Sequence, residues 1–342
     1  MTIENAETLP FDQRFERYNN GHYPGLAVMV IQDGKTLFKK GYGLRNLETK
    51  EIIDCDTNFR MASVSKQFTA MAVAILEERG KILRDDLISD YLAETPEYMK
   101  GIRVKHLVHH LSGLPDYAEA LWSSNKSKPL INNHDVFNYY KNQQKLDFKP
   151  GERYEYSNGG YSLLALIVEN AASQPFQDFS RENIFIPAGM KNTFIIEYPS
   201  SIKKQAISYS EWPFFDDIDF NTGNALHGED GVYTSLNDME AWINALDNNT
   251  LVSASTTEKI FSKVRTNSGE VVEYGYGWER DKYHSMDIIV HGGSWVGFNT
   301  VIAKLPEKNT WLVGFSNTNA ISSDNAIVEM AEHYFGKDVE KD

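Results

Sequence analysis

What most constrains the fold of this chain is where its strands fall: at the two ends, with helical sequence between them. Near the start, Gly25-Leu-Ala-Val-Met-Val-Ile-Gln32 is a continuous apolar run of strand length. Asp33-Gly34 supplies a two-residue turn, and Thr36 to Tyr42 returns as the partner strand. A short polar helix is predicted ahead of this hairpin, over Phe11 to Tyr18. Near the end, Tyr274 to Glu279, Met286 to His291, Phe298 to Leu305 and Thr310 to Ser316 alternate or run apolar, with turns between them. A last helix is expected over Ser323 to Phe335. The pattern predicts an α+β fold: one antiparallel sheet made from both chain ends, flanked by helices, with an inserted mostly helical lobe. We place the sheet domain at residues 1–86 and 225–342 and the lobe at residues 87–224.

Between the strand segments the period becomes helical. Phe68, Met71, Ala72, Ile75 and Leu76 share one face of a helix starting near Ser63, and Gly80 is its expected C′ residue. Further helices are predicted over Val136 to Gln144 with Asp135 as N-cap, Gly160 to Ala172, and Ser235 to Leu246.

Composition removes several function classes. Among 342 residues, 34 Lys and Arg against 48 Asp and Glu leave a net charge of −14, which repels phosphate backbones and anionic lipid. Nucleic-acid and membrane partners are therefore not expected. The longest aliphatic run, Ala70 to Leu76, is too short to span a bilayer. The start of the sequence is acidic and has no apolar stretch of the secretory kind, so a cytoplasmic location is expected, away from periplasmic peptidoglycan. The single cysteine, Cys55, lies between Asp54 and Asp56, which disfavour a thiolate, and reads as a small packing residue.

The chemistry-bearing residues form three short patterns. Ser-x-x-Lys occurs four times, at Ser63, Ser123, Ser200 and Ser201. Only Ser63-Val-Ser-Lys66 opens an amphipathic helix, where i and i+3 put hydroxyl and amine on one face. Free N–H groups at the helix start favour a developing oxyanion there. The bland reading of such a pair is an N-capping serine beside a solvated lysine. Tyr-x-Asn occurs at Tyr18, Tyr140 and Tyr156, and only Tyr156-Ser-Asn158 sits on a glycine-flanked loop before an apolar helix. A phenol close to a lysine ammonium can ionise below its usual range and serve as a base. Third, His291-Gly-Gly-Ser294 follows an apolar strand, and glycines there point to close approach by a ligand or another backbone.

In this order and spacing the three patterns resemble the serine β-lactamase/penicillin-binding-protein superfamily, in its class C-like branch. That branch holds class C β-lactamases, D-alanyl-D-alanine carboxypeptidases, D-aminopeptidases and family VIII carboxylesterases. Collinear stretches extend the likeness from about Gly25 to Asn317, among them His110-Leu-Ser-Gly-Leu-Pro115, Gly231-Val-Tyr-Thr-Ser235 and Tyr274-Gly-Tyr-Gly-Trp278. The resemblance implies a β-lactamase-like fold and an acyl-enzyme mechanism. It implies Ser63 as nucleophile, Lys66 as its proton partner and Tyr156 as the general base that also protonates the leaving group. Asn158 would bond Lys66 or a substrate amide, and the amides of Ser63 and Ser294 would form the oxyanion hole beside His291 and Gly293. One departure stands out: His291-Gly-Gly replaces the Lys-Thr-Gly of β-lactamases and most carboxypeptidases, and no Lys-Thr-Gly occurs in the chain. His-x-Gly is a variant of esterases and aminopeptidases in the family, so the expected substrate is a small ester or a D-amino-acid-type amide. A β-lactamase or penicillin-binding D,D-peptidase is the alternative, and a ligand-sensing module without catalysis is the alternative of another class.

Some candidates carry less. His106, His109 and His110 have no acidic partner of the metalloprotease kind, and neither a metal nor a cofactor is expected. Trp295 could line the site or simply pack, and Glu229 and Asp230 read as a solvated loop. With Lys66 nearby, His291 is expected to be mostly neutral at pH 7, although its ordinary range would let it titrate under working conditions.

Overall fold

A computed structural model describes Asp12 and residues 15–124, 130–197, 204–211, 214–219, 221–283 and 285–335. The main sheet has six antiparallel strands. Two come from the start of the chain, β1 (Leu26–Gln32) and β2 (Lys35–Tyr42). Four come from its end: β3 (Glu279–Tyr283), β4 (Met286–Trp295), β5 (Phe298–Leu305) and β6 (Thr310–Ser316). Their order is β3-β4-β5-β6-β1-β2, so the two chain ends meet where β6 pairs with β1, Leu26 opposite Ser316 and Gln32 opposite Thr310.

The unbroken apolar character of β1 follows from this central place. Ala27, Met29 and Ile31 enter one core, and Leu26, Val28 and Val30 enter the other, so neither face meets water. On the first side lie α1 (Lys66–Glu78) and α4 (Leu236–Asp247). On the second lies α5 (Ser323–Phe335), packed on β5 and β6. The middle of the chain supplies α2 (Asn133–Lys141) and α3 (Asn158–Ala172), and α3 packs against both α1 and α2.

Most expected boundaries hold. The hairpin turns at Asp33 and Gly34, both in the left-handed region with φ 51° and 71°. Gly80 follows α1 at φ +65° as the expected C′ residue. Four expectations need correction. β4 does not end at His291 but runs on to Trp295, so His291-Gly-Gly-Ser294 lies within the strand and not after it. α2 begins three residues earlier than predicted: Asn132 is its N-cap, and Asp135 sits inside the first turn, bonding back to the cap. α3 starts at Asn158 with Ser157 as cap, so the tyrosine-serine-asparagine segment ends within the helix. The strand predicted over Tyr274 to Glu279 begins only at Glu279. Gly277 has φ +74°, and a side chain there would meet the Lys66 carbonyl at 2.7 Å, so this stretch is a tight turn against α1. Of the helix predicted over Phe11 to Tyr18, Asp12, Phe15 and Glu16 are helical, and Phe11 lies outside the described residues. Ser200 and Ser201 also lie outside them. No helix among the described residues is long and apolar enough to cross a membrane.

One side chain ties the two ends together. Asn317, just past β6, is fully buried. It accepts from the Gly25 amide at 2.8 Å and donates to the carbonyls of Leu44 at 3.1 Å and Ile207 at 2.9 Å. Removing it strands three buried backbone groups. Asn317→Ala should lower unfolding stability by about 3 kcal/mol, measured as a fall in the urea midpoint with an unchanged slope.

Candidate active site

Ser63 lies in a 3₁₀ turn, Ala62–Ser65, that runs directly into α1. The preceding residue, Ala62, has φ +47°, a left-handed conformation that costs a non-glycine residue about 1–3 kcal/mol. Neighbouring bonds hold it there. The Met61 amide donates to the Val232 carbonyl at 2.8 Å, and the Thr300 hydroxyl donates to the Met61 carbonyl at 2.7 Å. The nucleophile candidate is thus clamped between the main sheet and a small three-stranded sheet of Phe59–Arg60, Phe194–Ile195 and Val232–Thr234.

Lys66, one turn on, is fully buried. Its ammonium donates to three oxygens from three parts of the chain. These are Ser63 Oγ at 3.0 Å, Asn158 Oδ1 at 2.8 Å and the Glu229 carbonyl at 2.9 Å. Burial lowers its pKa to about 8, against the opposing pull of Glu229, Asp230 and Glu279. The amine therefore exchanges its proton close to neutral pH.

Tyr156 stands over this network, with the Lys66 ammonium 4.9 Å from its ring centre. It does not ionise easily, as the sequence had suggested a phenol beside an ammonium would. Burial raises its pKa above the ordinary value, the Ser63 hydroxyl works the other way, and Glu279, Glu229 and Asp230 push it further up. Burial, with the nearby carboxylates adding to it, keeps Tyr156 a proton donor at neutral pH.

Behind Tyr156 is a wall of aromatic and imidazole rings. His110, with φ +57°, stacks at 4.3 Å from the Tyr156 ring, and its Nδ1 accepts from the Ser157 amide at 3.0 Å. Tyr274 packs on His110 and donates its hydroxyl to His291 Nε2 at 2.9 Å. His291 Nδ1 donates to the Gly292 carbonyl at 2.7 Å, so both ring nitrogens are engaged and the ring is neutral. Burial and Lys66 lower its pKa to about 3. His291 is neutral at pH 7 as expected, but the expectation that it titrates in the working range does not hold.

A cleft of about 680 Å³ opens in front of these groups, lined among others by Ser63, Tyr154, Tyr156, Glu279, His291 and Ser294. β4 runs to Trp295 while its neighbour β3 starts opposite Val290, so the edge of β4 from His291 onward borders the cleft. Gly293 faces Ser63 here. A side chain on Gly293 would meet the Met61 carbonyl at 2.4 Å and the Ser63 amide nitrogen at 3.0 Å. The glycine keeps the Ser63 amide clear.

The structure brings Ser63, Lys66 and Asn158 into one hydrogen-bonded set and places Tyr156, His291, Gly293 and Ser294 around it. It corrects the loop of Glu229 and Asp230, which is buried rather than solvated. Glu229 accepts from the hydroxyls of Tyr117 at 2.5 Å and Ser162 at 2.6 Å. Asp230 pairs with fully buried Arg60 at 2.9 Å. Trp295 packs over the Arg60 guanidinium and donates to Asn224 at 2.7 Å. Sequence patterns missed the roles of His110 and Tyr274. Their only signal was their place in the stretches beginning His110-Leu-Ser-Gly and Tyr274-Gly-Tyr-Gly. His106 and His110 do not share a helix face, because the helix there ends at Val108. Among the described residues, no group of three or more His, Cys, Asp or Glu is placed to hold a metal ion.

The Beta-lactamase family model matches residues 11–333. The chain belongs to the Beta-lactamase family. Within this family it is 28% identical over 337 residues to penicillin-binding protein 4* of Bacillus subtilis, covering 93% of this chain and 74% of that protein. It is 27% identical over 310 residues to protein flp of Staphylococcus aureus, covering 88% of this chain and 61% of that one. In fold it is similar to the octameric penicillin-binding protein homologue from Pyrococcus abyssi, with TM-score 0.83 and 23% identity over 99% of this chain and 79% of the other. It is likewise similar to the D-amino acid amidase from Ochrobactrum anthropi, with TM-score 0.81 and 20% identity over 98% of this chain and 100% of the other. The fold expected from the sequence, an antiparallel sheet with flanking helices of the β-lactamase kind, is the fold observed.

Gly293→Ala should push β4 away from Ser63 and block its amide. We expect kcat/KM on an activated ester to fall at least ~10²-fold, the scale of losing an oxyanion donor. Circular dichroism should show the fold retained.

Proposed function

We propose that this protein is a serine hydrolase that acts through an acyl-enzyme on amides or esters of a small acyl group bearing a free amine, of the D-amino-acid type. The observation that carries the reading is the buried Lys66 amine, bonded to Ser63 Oγ at 3.0 Å with its pKa lowered to about 8. Neutral Lys66 takes the Ser63 proton as Oγ attacks the substrate carbonyl. The amide N–H groups of Ser63 and Ser294 donate to the developing oxyanion. The Tyr156 hydroxyl, protonated and close by, passes a proton to the leaving nitrogen or oxygen and is resupplied from Lys66. Water then attacks the acyl-enzyme, with the same groups in reverse. This gives Lys66 the base role that the family likeness had given to Tyr156. A binding module would have no use for a lysine tuned in this way beside a serine.

The amine preference rests on charge. The described residues lining the cleft include the carboxylates of Glu279 and Asp324 and neither Lys nor Arg. His291 is neutral and offers no cation to the carboxylate of a penicillin or of a peptide C-terminus. Glu279 has no side-chain partner among the described residues, and burial raises its pKa with Asp281 adding to the effect. A carboxylate left unpaired in a partly dry cleft is stabilised by a substrate ammonium. The D-amino acid amidase of similar fold has been solved with D-phenylalanine and with L-phenylalanine amide, which fits this choice of substrate class.

A fluorophosphonate probe mapped by mass spectrometry tests the nucleophile. Label should appear on Ser63 and vanish, with turnover, in Ser63→Ala; label on Ser65 would sink the assignment. The same enzyme should show a pH limb set by Lys66. The neutral amine is the active form, so kcat/KM should rise with pH, with a midpoint near the pKa of about 8, and fall tenfold per pH unit below it.

Glu279 provides the substrate test. Glu279→Gln should raise KM about tenfold for a D-aminoacyl amide while leaving a short-chain nitrophenyl ester nearly unchanged, as expected for one charge-assisted contact. Penicillin hydrolysis matching that of the amide would refute the amine preference.

A further inference from the structure

A second pocket, of about 400 Å³, shares no lining residue with the cleft. Arg84, Lys105, His106, His109, Lys263 and Arg265 line it. Four permanent cations in one pocket stand out in a chain of net charge −14. Two of the four are already neutralised, Lys105 by Asp85 at 2.5 Å and Lys263 by Glu273 at 2.7 Å. Among the described residues, the Arg265 side chain donates to the Gly269 carbonyl, and Arg84 helps to hold the Asp85 carboxyl below its usual range but forms no ion pair with it. The pocket thus carries two unneutralised positive charges.

The two histidines define what kind of anion would fit. His106 Nδ1 accepts from the Arg103 amide at 3.1 Å, which puts the proton of the neutral ring on Nε2 and makes that atom a donor. His109 is the reverse. Its Nδ1 donates to the Tyr274 carbonyl at 3.2 Å, leaving Nε2 as an acceptor, and this buried atom has no partner. His109 is only 2% exposed, so the orphan is not satisfied by open solvent. His109 is itself one of the residues that line the pocket. Arginines and a histidine donor call for anionic oxygens, and the His109 acceptor calls for a hydroxyl on the same ligand.

We propose that this pocket binds a hydrogenphosphate-type oxyanion, either the free ion or the protonated end of a phosphate ester. Such a group presents ionised oxygens to Arg84, Arg265 and His106 and a P–OH to His109 Nε2; the free hydrogenphosphate ion brings two negative charges to the unneutralised pair and the protonated ester end brings one. The site stands apart from the catalytic reading, because none of its lining side chains belongs to the Ser63 cleft.

Isothermal titration calorimetry of the full chain at pH 7 with inorganic phosphate, glycerol 2-phosphate and sulfate tests the proposal. Saturable one-to-one phosphate binding is expected. Sulfate, fully ionised and without a hydroxyl, should bind at least about fivefold more weakly, the scale of one hydrogen bond to a buried acceptor. Tighter binding of glycerol 2-phosphate than of the free ion would assign the site to esters, and the opposite order to the ion itself. Arg84→Ala/Arg265→Ala should weaken phosphate at least about tenfold while leaving melting temperature and ester hydrolysis unchanged. No saturable binding at millimolar phosphate, equal binding of sulfate, or unchanged affinity in the double variant would overturn it. The last outcome would place the phosphate in the catalytic cleft instead.

Discussion

A single buried ammonium sets the requirements for the whole site. Lys66 has no contact with solvent, and an unpaired charge in such a place would cost several kcal/mol. Its three acceptors come from the turn before α1, the first residue of α3 and the loop before the small sheet. Satisfying the lysine therefore fixes the relative positions of two helices and a loop. That loop is anchored in turn, with Glu229 held by Tyr117 and Ser162 and Asp230 by Arg60. The buried Arg60–Asp230 pair adds little net stability by itself, yet breaking it would leave an uncompensated charge beneath the nucleophile.

The sequence was legible where local chemistry decides structure. The hairpin turn at Asp33-Gly34, the apolar face of α1 and the helix placed near Ser235 to Leu246 all follow from short-range rules. The Ser63 and Lys66 pairing followed from helix periodicity, and Asn158 from its likeness to the family pattern. Misreadings came where tertiary packing overrides pattern. Tyr274 to Trp278 alternates like a strand, but Gly277 lies against the backbone of α1 and forces a turn. Glu229 and Asp230 look like surface residues until Arg60 and Tyr117, far away in sequence, are brought to them. The protonation of Tyr156 was also misjudged, because its burial, and to a lesser degree the nearness of Glu279, arise only in the fold.

The wall of rings behind Tyr156 does two jobs at once. His110 fixes the loop that carries Tyr156, and Tyr274 fixes the tautomer of His291 through its hydroxyl. The backbone of that same tyrosine bonds His109 on the opposite side. Neutral rings are well suited to this place. They fill space and hold hydrogen-bond direction without adding a second positive charge near Lys66, which would depress its proton affinity further.

The meeting of the two chain ends at β1 and β6 also shapes how the molecule comes into being. The Asn317 contact to Gly25 closes over 292 residues, and β1 has its partner on that side only once β6 exists. During synthesis the β1–β2 hairpin leaves the ribosome early with an apolar strand whose other edge is open. Helices of the middle segment can form meanwhile, since their backbone hydrogen bonds are local. The sheet itself must wait. Pairings this distant in sequence fold slowly and leave an exposed strand edge in the interval. A nascent chain is therefore most prone to aggregate, and most dependent on chaperones, before its final strands emerge.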